Sequence, residues 1–218
     1  MKKIHKTVLG VLFALLFVTP SFGGTTNIGL AVDLTSIDSS GSETLNGNST
    51  ASSKTHSHSV AIPSLFIERE ADNGVRIGLD YIPVEGAMGS ESRADTDYTT
   101  GDGASVTRKA KADLKNHITL YTEIPLRSSN FFVRAGVVSV TISTDENLDS
   151  TGSTYPDADV FGFNLGVGHM RDLGTSGFLK IAINYVDYED VKLTSSSSNK
   201  IEADVDRMGL QLSIGKKF

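Results

Sequence analysis

Apolar and polar side chains alternate along most of the chain. In the stretch NIGLAVDLT, Ile28, Leu30 and Val32 fall on one face, with small or polar residues between them. A period of two residues is the pattern of a β-strand. In the second such stretch Pro63 interrupts the alternation, and the pattern does not decide which face of residues 59–70 points inward. We predict eight strands in all, the other seven being SVAIPSLFIERE, VRIGLDYI, LKNHITLYTEIPL, FFVRAGVVSV, VFGFNLGVGHM, FLKIAINYV and RMGLQLSIGKKF.

Short and long connections alternate between these strands. Three of them, ADNG, RSSN and RDLGTSG, are short, and the first has the Asn-Gly pair of a tight hairpin turn. The other four are long and rich in Ser, Thr, Asp, Asn and Gly. This alternation predicts an all-β fold, an eight-stranded antiparallel up-and-down barrel with short periplasmic turns and long extracellular loops. Residues 24–218 would form this single domain.

The composition of the two strand faces distinguishes a membrane barrel from a soluble one. A soluble barrel or sandwich would bury the apolar face and cover the other with Lys and Glu. Here the second face consists of Gly, Ala, Ser, Asn and a few charges. Small residues toward a crowded interior and bulky apolar ones toward lipid are typical of a transmembrane barrel. Its sheet has to close, because an unpaired backbone group is costly in lipid.

Aromatic residues of the apolar face fall near the strand ends. With the amino terminus on the periplasmic side, odd strands rise and even strands descend. Aromatic girdles at the two membrane interfaces are expected for this class. The predicted upper girdle contains Tyr81, Phe161, Phe163 and Tyr185, and Phe131 and Phe218 lie at the lower ends.

The first residues have the layout of a secretory signal peptide. A basic MKKIHK is followed by the apolar run TVLGVLFALLFV and by the small, helix-breaking TPSFGG. The apolar run is shorter than the ~20 residues of a membrane-spanning helix, which disfavours the alternative of a membrane anchor. We therefore expect residues 1–23 to be removed during export, with cleavage after Gly23 or Gly24.

Composition argues against thiol chemistry and against nucleic-acid binding. The chain has no Cys, so it has no disulfide framework and no thiol chemistry. Its formal net charge is -6 at pH 7, which argues against nucleic acid as a partner, because that backbone demands Lys and Arg.

The last strand carries a resemblance to a known class of proteins. The chain ends on GLQLSIGKKF, in which Leu210, Leu212, Ile214 and Phe218 alternate with polar or small residues. With the signal peptide and the strand pattern, this resembles the small eight-stranded outer membrane proteins of Gram-negative bacteria, of the OmpA-barrel and OmpX type. In that class the barrel-assembly machinery reads a final strand that ends in Phe. Lys216 departs from the class, which usually has an aromatic or apolar residue there.

The resemblance implies a location and partners. It implies a protein of the bacterial outer membrane, in contact with outer membrane lipid and lipopolysaccharide and with the barrel-assembly machinery during biogenesis. It also allows an extracellular ligand that the loops would bind, whose identity the sequence does not give.

Charged residues recur on the face predicted to line the interior. If RSSN turns at Ser128 and Ser129, counting along the hairpin places Glu123 opposite Arg134, and we predict a buried ion pair. An eight-stranded barrel is just wide enough to be filled by its own side chains, and buried charges have to be paired. The charges could therefore form a polar plug, which we favour, or a gated ion path. The other members of this predicted lumen charge cluster are Asp33, Arg76, Asp80, Lys180 and Arg207.

Other polar clusters lack the residues or the spacing of a metal or catalytic site. His56 and His58 supply only two of the ligands that a metal needs. The Asp-rich stretches ADTDYTTGDG and YPDAD lack the ordered positions of a calcium loop. His117 and His169 lie at no persuasive position for nucleophilic catalysis, where nucleophile and base must meet within hydrogen-bond reach. We therefore predict no catalytic, cofactor or metal site.

These observations favour a non-enzymatic structural or surface-interaction protein whose lumen is plugged by paired charges. The first alternative is a narrow porin-like channel for small solutes, and the second is an enzyme that modifies lipid A.

Overall fold

The structure is a computed structural model that describes residues 24–44, 46, 51–96, 105–127, 129–147, 154–196 and 198–218. For residues 51–52, 87–96, 105–110 and 145–147 within these ranges, the structure describes the backbone only. The expected signal peptide, 1–23, lies outside the described residues. No helix long and apolar enough to cross a membrane occurs in the described part of the chain.

The described residues form ten strand segments in one antiparallel sheet. β3 and β4 pair with the same strand, as do β8 and β9, so each pair is one interrupted strand and the wall has eight strands. The segments are β1 Gly24–Thr44, β2 Ala51–Ala71, β3 Arg76–Ile82, β4 Gly86–Thr96, β5 Ser105–Pro125, β6 Phe131–Asn147, β7 Ala158–Leu173, β8 Gly177–Tyr188, β9 Val191–Thr194 and β10 Lys200–Lys217.

The sheet closes on itself through the first and last strands. β1 and β10 pair from Asn27 with Lys217 to Thr44 with Lys200. At the lower end the Phe218 amide donates to the Thr26 carbonyl, 2.8 Å away, and the Thr26 amide donates back over 3.1 Å. Each strand otherwise pairs with its neighbour in sequence. The predicted eight-stranded up-and-down barrel is confirmed.

Short turns join the strands at the lower end, where β1 begins and β10 ends. In the β2–β3 turn the Gly74 amide donates to the Ala71 carbonyl over 2.8 Å, and Gly74 has a φ of 81°. Gly174, in the β7–β8 turn, has a φ of 66°. A positive φ costs glycine nothing, so both turns are encoded locally.

The upper hairpins contain more strand than the sequence pattern predicts. β1 and β2 stay paired up to Thr44 with Ala51, and β4 and β5 up to Thr96 with Ser105. The polar stretches that we expected to be loops are therefore largely hairpin stems. The expectation missed them because above the membrane both faces of a strand can carry polar residues, which removes the period-two signal.

β2 resolves the ambiguity of residues 59–70. Its even-numbered side chains, Ile62, Ser64, Phe66 and Glu68, are buried in the interior. Pro63 lies on the opposite, exposed face.

A bulge in β5 reverses the side-chain alternation predicted for that strand. The β5–β6 register shifts between Lys115 and Ile118, and Asn116 has a φ of 53°. Strict alternation along LKNHITLYTEIPL puts Leu114 on the same outward face as Leu120 and Ile124. Because the bulge adds a residue, Leu114 instead turns into the interior and is 4% exposed.

The ladder between β2 and β3 runs only from Leu65 paired with Tyr81 to Glu70 paired with Arg76. In the described part of the chain β4 pairs with β5 alone. Lipid tolerates no unpaired sheet edge, so the hydrocarbon region ends near Tyr81 on this side of the barrel.

The upper interior is an apolar core. Its members come from every part of the wall and include Ile37, Ile62, Val140, Val186 and Val205. Val140 is 0% exposed. The interior is therefore divided into an apolar upper part and the polar lower part described next.

Candidate functional site: the charged interior of the barrel

Charged side chains fill the lower interior. All seven members of the predicted charge cluster are buried there, and Glu68 on β2 joins them. The set contains four acidic and four basic side chains, so its formal charges balance. We call it the lumen charge cluster, and it consists of Asp33, Glu68, Asp80, Glu123, Arg76, Arg134, Lys180 and Arg207.

Glu123 is the centre of the lumen charge cluster. Its carboxylate is 0% exposed and contacts three cations. Arg134, directly opposite on β6, places Nη2 2.5 Å from Oε1, and Arg76 on β3 places Nε 2.7 Å from Oε2. Lys180 on β8 reaches across the barrel, with Nζ 3.2 Å from the carboxylate. The three cations come from three different strands, so one carboxylate ties the opposite walls together.

Glu68 is a second buried acceptor. It forms an ion pair with Lys180, and Tyr121 donates its phenol to Glu68 Oε1 over 2.7 Å. Lys180 therefore bridges Glu68 and Glu123. The sequence pattern missed Glu68 because the alternation of β2 did not reveal its inward face. The neighbouring residues in the stretch FIERE did not indicate the inward face either.

Hydrogen bonds extend this network upward. Arg134 donates through Nη1 to Gln211 Oε1 over 2.8 Å. Ser64 donates to Asp80 Oδ2 over 2.9 Å, and Arg207 lies 3.5 Å from Asp33 Oδ2. Neutral polar side chains thus supply hydrogen bonds to both the cations and the carboxylates, as buried charges require.

Aromatic rings close the lower end of the interior. Phe132 and Phe178 are almost completely buried there. The Arg76 guanidinium lies 5.2 Å from the Phe132 ring centroid, and Lys180 Nζ lies 4.8 Å from that of Phe66. A ring face stabilises a desolvated cation. The alternation along the sequence did not reveal that these rings lie in the interior.

Glycines make room for the inward rings. A Cβ on Gly168 would collide with the Phe132 ring, and one on Gly215 with the Phe178 ring. Gly78 lies opposite Tyr121, and a Cβ there would lie 2.5 Å from Cζ of that ring. The small residues of the inward face are thus the complement of the large ones, and the two together fill the section of the barrel.

Unpaired polar atoms mark the boundary between the charged and apolar parts. His117 is buried and shares a hydrogen bond of 3.0 Å between Nε2 and the Tyr188 hydroxyl. Within the described part of the chain its Nδ1 has no hydrogen-bond partner, nor do Asp33 Oδ1 and Arg207 Nη1. Buried atoms of this kind commonly bind water. The other predicted candidate histidine, His169, faces outward and packs its ring on Phe131 at 4.9 Å.

Around the outside runs a belt of exposed apolar side chains. Leu30 is 58% exposed, Leu165 60% and Ile183 49%. An exposed apolar surface of this size marks a contact with lipid or protein. The predicted girdle residues Tyr81, Phe131, Phe161, Phe163 and Tyr185 all lie on this outer face, as does Phe218.

Two solved structures share this architecture. The outer membrane protein OprG from Pseudomonas aeruginosa aligns with a TM-score of 0.52 and 18% identity, over 90% of this chain and 97% of that one. The outer membrane protease OmpT from Escherichia coli aligns with a TM-score of 0.52 and 11% identity, over 92% of this chain and 99% of that one. The fold is that of an outer membrane β-barrel. No protein-family model and no curated protein matches the sequence.

The remaining predicted residues lie as follows in this barrel. Leu212, Ile214 and Phe218 of the assembly signal face outward, and Leu210 is half-buried on the same face of β10. His56 and His58 lie in β2, opposite Ser39 and Ile37 of β1. No cluster of three or more metal-ligating side chains occurs among the described residues. The Asp residues of ADTDYTTGDG lie outside the described side chains.

Proposed function

We propose that this outer membrane barrel is a non-enzymatic structural or surface-interaction protein with a closed lumen. The observation that carries the proposal is the fully buried Glu123, held by Arg76, Arg134 and Lys180. An ion path needs charged side chains in contact with water, whereas these side chains are buried and neutralise one another.

Two features of the interior support closure. The aromatic rings of Phe132 and Phe178 lie below the charges, and the apolar core lies above them. An ion would have to pass both layers in a barrel only as wide as its own side chains. The outer surface, rather than the lumen, is therefore the part of the molecule available to a partner.

The two similar structures leave the role itself open. One of them is a protease, and the other is named only as an outer membrane protein. A shared fold does not imply a shared activity. In this chain His117 is engaged by Tyr188 and His169 by Phe131, which supports a non-enzymatic role.

The partners that we propose follow from the fold. The exposed apolar belt would contact outer membrane lipid, and the upper hairpins would meet lipopolysaccharide. The outward residues Leu210, Leu212, Ile214 and Phe218 would be read by the barrel-assembly machinery during biogenesis.

The test is single-channel conductance of the purified, folded protein in a planar bilayer. We expect a silent bilayer, with folding verified in the same preparation by a heat-dependent shift in gel mobility. Discrete and reproducible conductance steps would overturn the closed lumen and establish the narrow-channel alternative. The matched pair of variants is Glu123→Gln, which removes the central carboxylate from its three cations and leaves Lys180 paired with Glu68, and Glu189→Gln, which changes an exposed acid outside the lumen. Only Glu123→Gln should admit transient current.

A further inference from the structure

A groove of about 620 Å³ lies on the membrane face and extends from Tyr81 down to Phe218 at the lower end. It crosses β10, β1, β2 and β3, and Gly29 and Gly215 contribute backbone without a side chain. Ile28 is 47% exposed and Ile214 54%. The other apolar side chains that line it include Leu30, Leu65, Ile67 and Phe218.

Among the described residues that line this groove, Lys216 is the charged one. It projects outward from β10 and pairs with Ile28 of β1. Its Nζ lies 5.0 Å from the Phe218 ring centroid, at the lower membrane interface. This is the residue at which the final strand departs from an alternating apolar pattern. A cation on the outer face of a barrel is costly in hydrocarbon and favourable at the interface, where headgroups lie.

A second cation lies at the same end of the groove. Arg69 of β2 pairs with Thr26 of β1 and donates from Nη1 to its hydroxyl over 2.9 Å. Thr26 is bonded to Phe218 through both backbone groups, so Arg69 and Lys216 lie on either side of the closing seam. The groove thus extends from an apolar surface at membrane depth to a lower end where two cationic side chains lie, Lys216 in its lining and Arg69 beside it.

We propose that this groove is a binding site for a glycerophospholipid of the periplasmic leaflet. One acyl chain lies against Ile28, Leu65 and Ile214, and the phosphate contacts Lys216. The lower end of the barrel carries the short turns, which face the periplasm in barrels of this class. The occupant is therefore a periplasmic-leaflet phospholipid rather than lipid A of the outer leaflet. The proposal does not depend on whether the lumen conducts.

The test is native mass spectrometry of the folded protein released from a mild detergent with added phosphatidylglycerol. We expect one lipid to be retained above the statistical background. Lys216→Gln should weaken the apparent affinity about fivefold, as expected for one Lys near a phosphate surface. The matched control is Arg171→Gln, which removes an exposed cation at the lower end of β7, away from the groove. That variant should bind as the wild type does.

A second pair of variants tests the apolar part. Ile28→Trp fills the groove and should abolish retention, whereas Val167→Trp, at a position that is also 47% exposed, should leave it unchanged. Aromatic residues are tolerated on the lipid face near an interface, so both variants are expected to fold, as a gel-mobility shift will show.

Three outcomes would overturn the proposal. The first is the absence of any lipid above background. The second is equal loss in the groove variants and their controls, which would indicate a general lipid annulus. The third is retention of lipid A with exclusion of phosphatidylglycerol.

Discussion

Glu123 shows how one side chain can organise the interior. It lies on β5, and its carboxylate meets cations from β3, β6 and β8. Each of these charges would be costly alone, because a buried ion has lost its water. Together they neutralise one another, and the surrounding Tyr121 and Phe rings supply cation-binding faces.

Replacing the central carboxylate tests this arrangement. Glu123→Gln removes the carboxylate that Arg76 and Arg134 contact and leaves Lys180 with Glu68 alone. We expect a loss of about 3–5 kcal/mol in unfolding free energy. The measurement is the urea unfolding curve of the protein in lipid vesicles. Glu189→Gln, at an exposed position, should change stability by less than about 0.5 kcal/mol. An unchanged midpoint for Glu123→Gln would show that the carboxylate is not required.

Gly78 shows why the inward face contains so many small residues. Its place opposite Tyr121 leaves room for the ring, whose hydroxyl donates to Glu68. A Cβ there would lie 2.5 Å from Cζ and 2.7 Å from the hydroxyl of Tyr121, and all of its nearest neighbours are side-chain atoms. Alanine at this position would therefore push the ring away from Glu68.

We expect Gly78→Ala to destabilise the barrel by about 1–3 kcal/mol, the usual cost of overpacking. In a Tyr121→Leu background the same substitution should cost less, because the obstructing ring is gone. The double-mutant cycle of unfolding free energies measures this coupling. Gly86→Ala is the control, since the nearest described atom to its added Cβ would be Ile62 Cδ1 at 3.6 Å, an ordinary contact. Additive effects of Gly78→Ala and Tyr121→Leu would contradict the packing account.

At the scale of elements, the bulge in β5 decides which side chains enter the barrel. Below it His117 and Thr119 point inward, and above it Leu114 does. The change lets one strand supply polar groups to the lower interior and an apolar group to the upper core. Its backbone hinge is Asn116, whose φ of 53° is a conformation that Asn tolerates and β-branched residues do not.

Substitutions at Asn116 should separate backbone from side chain. Asn116→Gly should preserve stability, because glycine adopts a positive φ freely. Asn116→Val should cost about 1–2 kcal/mol, the penalty of the left-handed conformation. Thermal unfolding in detergent micelles provides the comparison. Equal stability of the two variants would show that the bulge can move elsewhere in the strand.

At the scale of the whole molecule, the polarity of the wall reverses along the barrel axis. In the lower part Leu30 and Leu165 face outward and charges face inward. In the upper part Ile37 and Val205 face inward, and the outer face is polar. The outer surface of the lower part is therefore suited to contact with lipid, and that of the upper part to contact with water. The same strands form both parts. Side chains alternate between the two faces along the whole strand, but the apolar residues change from the outer face in the lower part to the inner face in the upper part.

A row of carboxylates on the outer face marks this reversal. Asp38, Asp206 and Asp187 occupy directly paired positions on β1, β10 and β8, two residues above Met208 and Tyr185. Burial, followed by the charges of Asp38, Asp204 and Asp187, raises the pKa of Asp206 above its ordinary value. Like charges directly opposite one another destabilise a sheet.

The sign of the pH dependence follows from that raised pKa. Protonated Asp206 stabilises the folded barrel fully below the ordinary pKa of Asp, and this contribution is lost as the pH rises through the raised value. The unfolding free energy of the wild type should therefore fall relative to Asp206→Asn between about pH 3 and pH 6. Asp72→Asn, in the exposed β2–β3 turn, is the control. Parallel pH profiles for wild type and Asp206→Asn would contradict this prediction.

The sequence by itself determined the strands, their up-and-down order and the lipid-facing belt. Each of these depends on local alternation and on turn residues such as Asn73 and Gly74, which act within a few positions of the chain. It also placed Glu123 opposite Arg134, because a hairpin turn fixes its own register. Beyond one hairpin this counting stops, since sequence does not give the stagger between more distant strands.

The tertiary structure alone decided what meets across the barrel. Lys180 reaches Glu68 and Glu123, which are far away in sequence, and Tyr121 fills the space left by Gly78. The bulge at Asn116 and the upper apolar core also came only from the closed wall, because both depend on which residues share an interior level. Closure of the sheet converts eight local patterns into one packed interior, and that interior closes the lumen in the function proposed here.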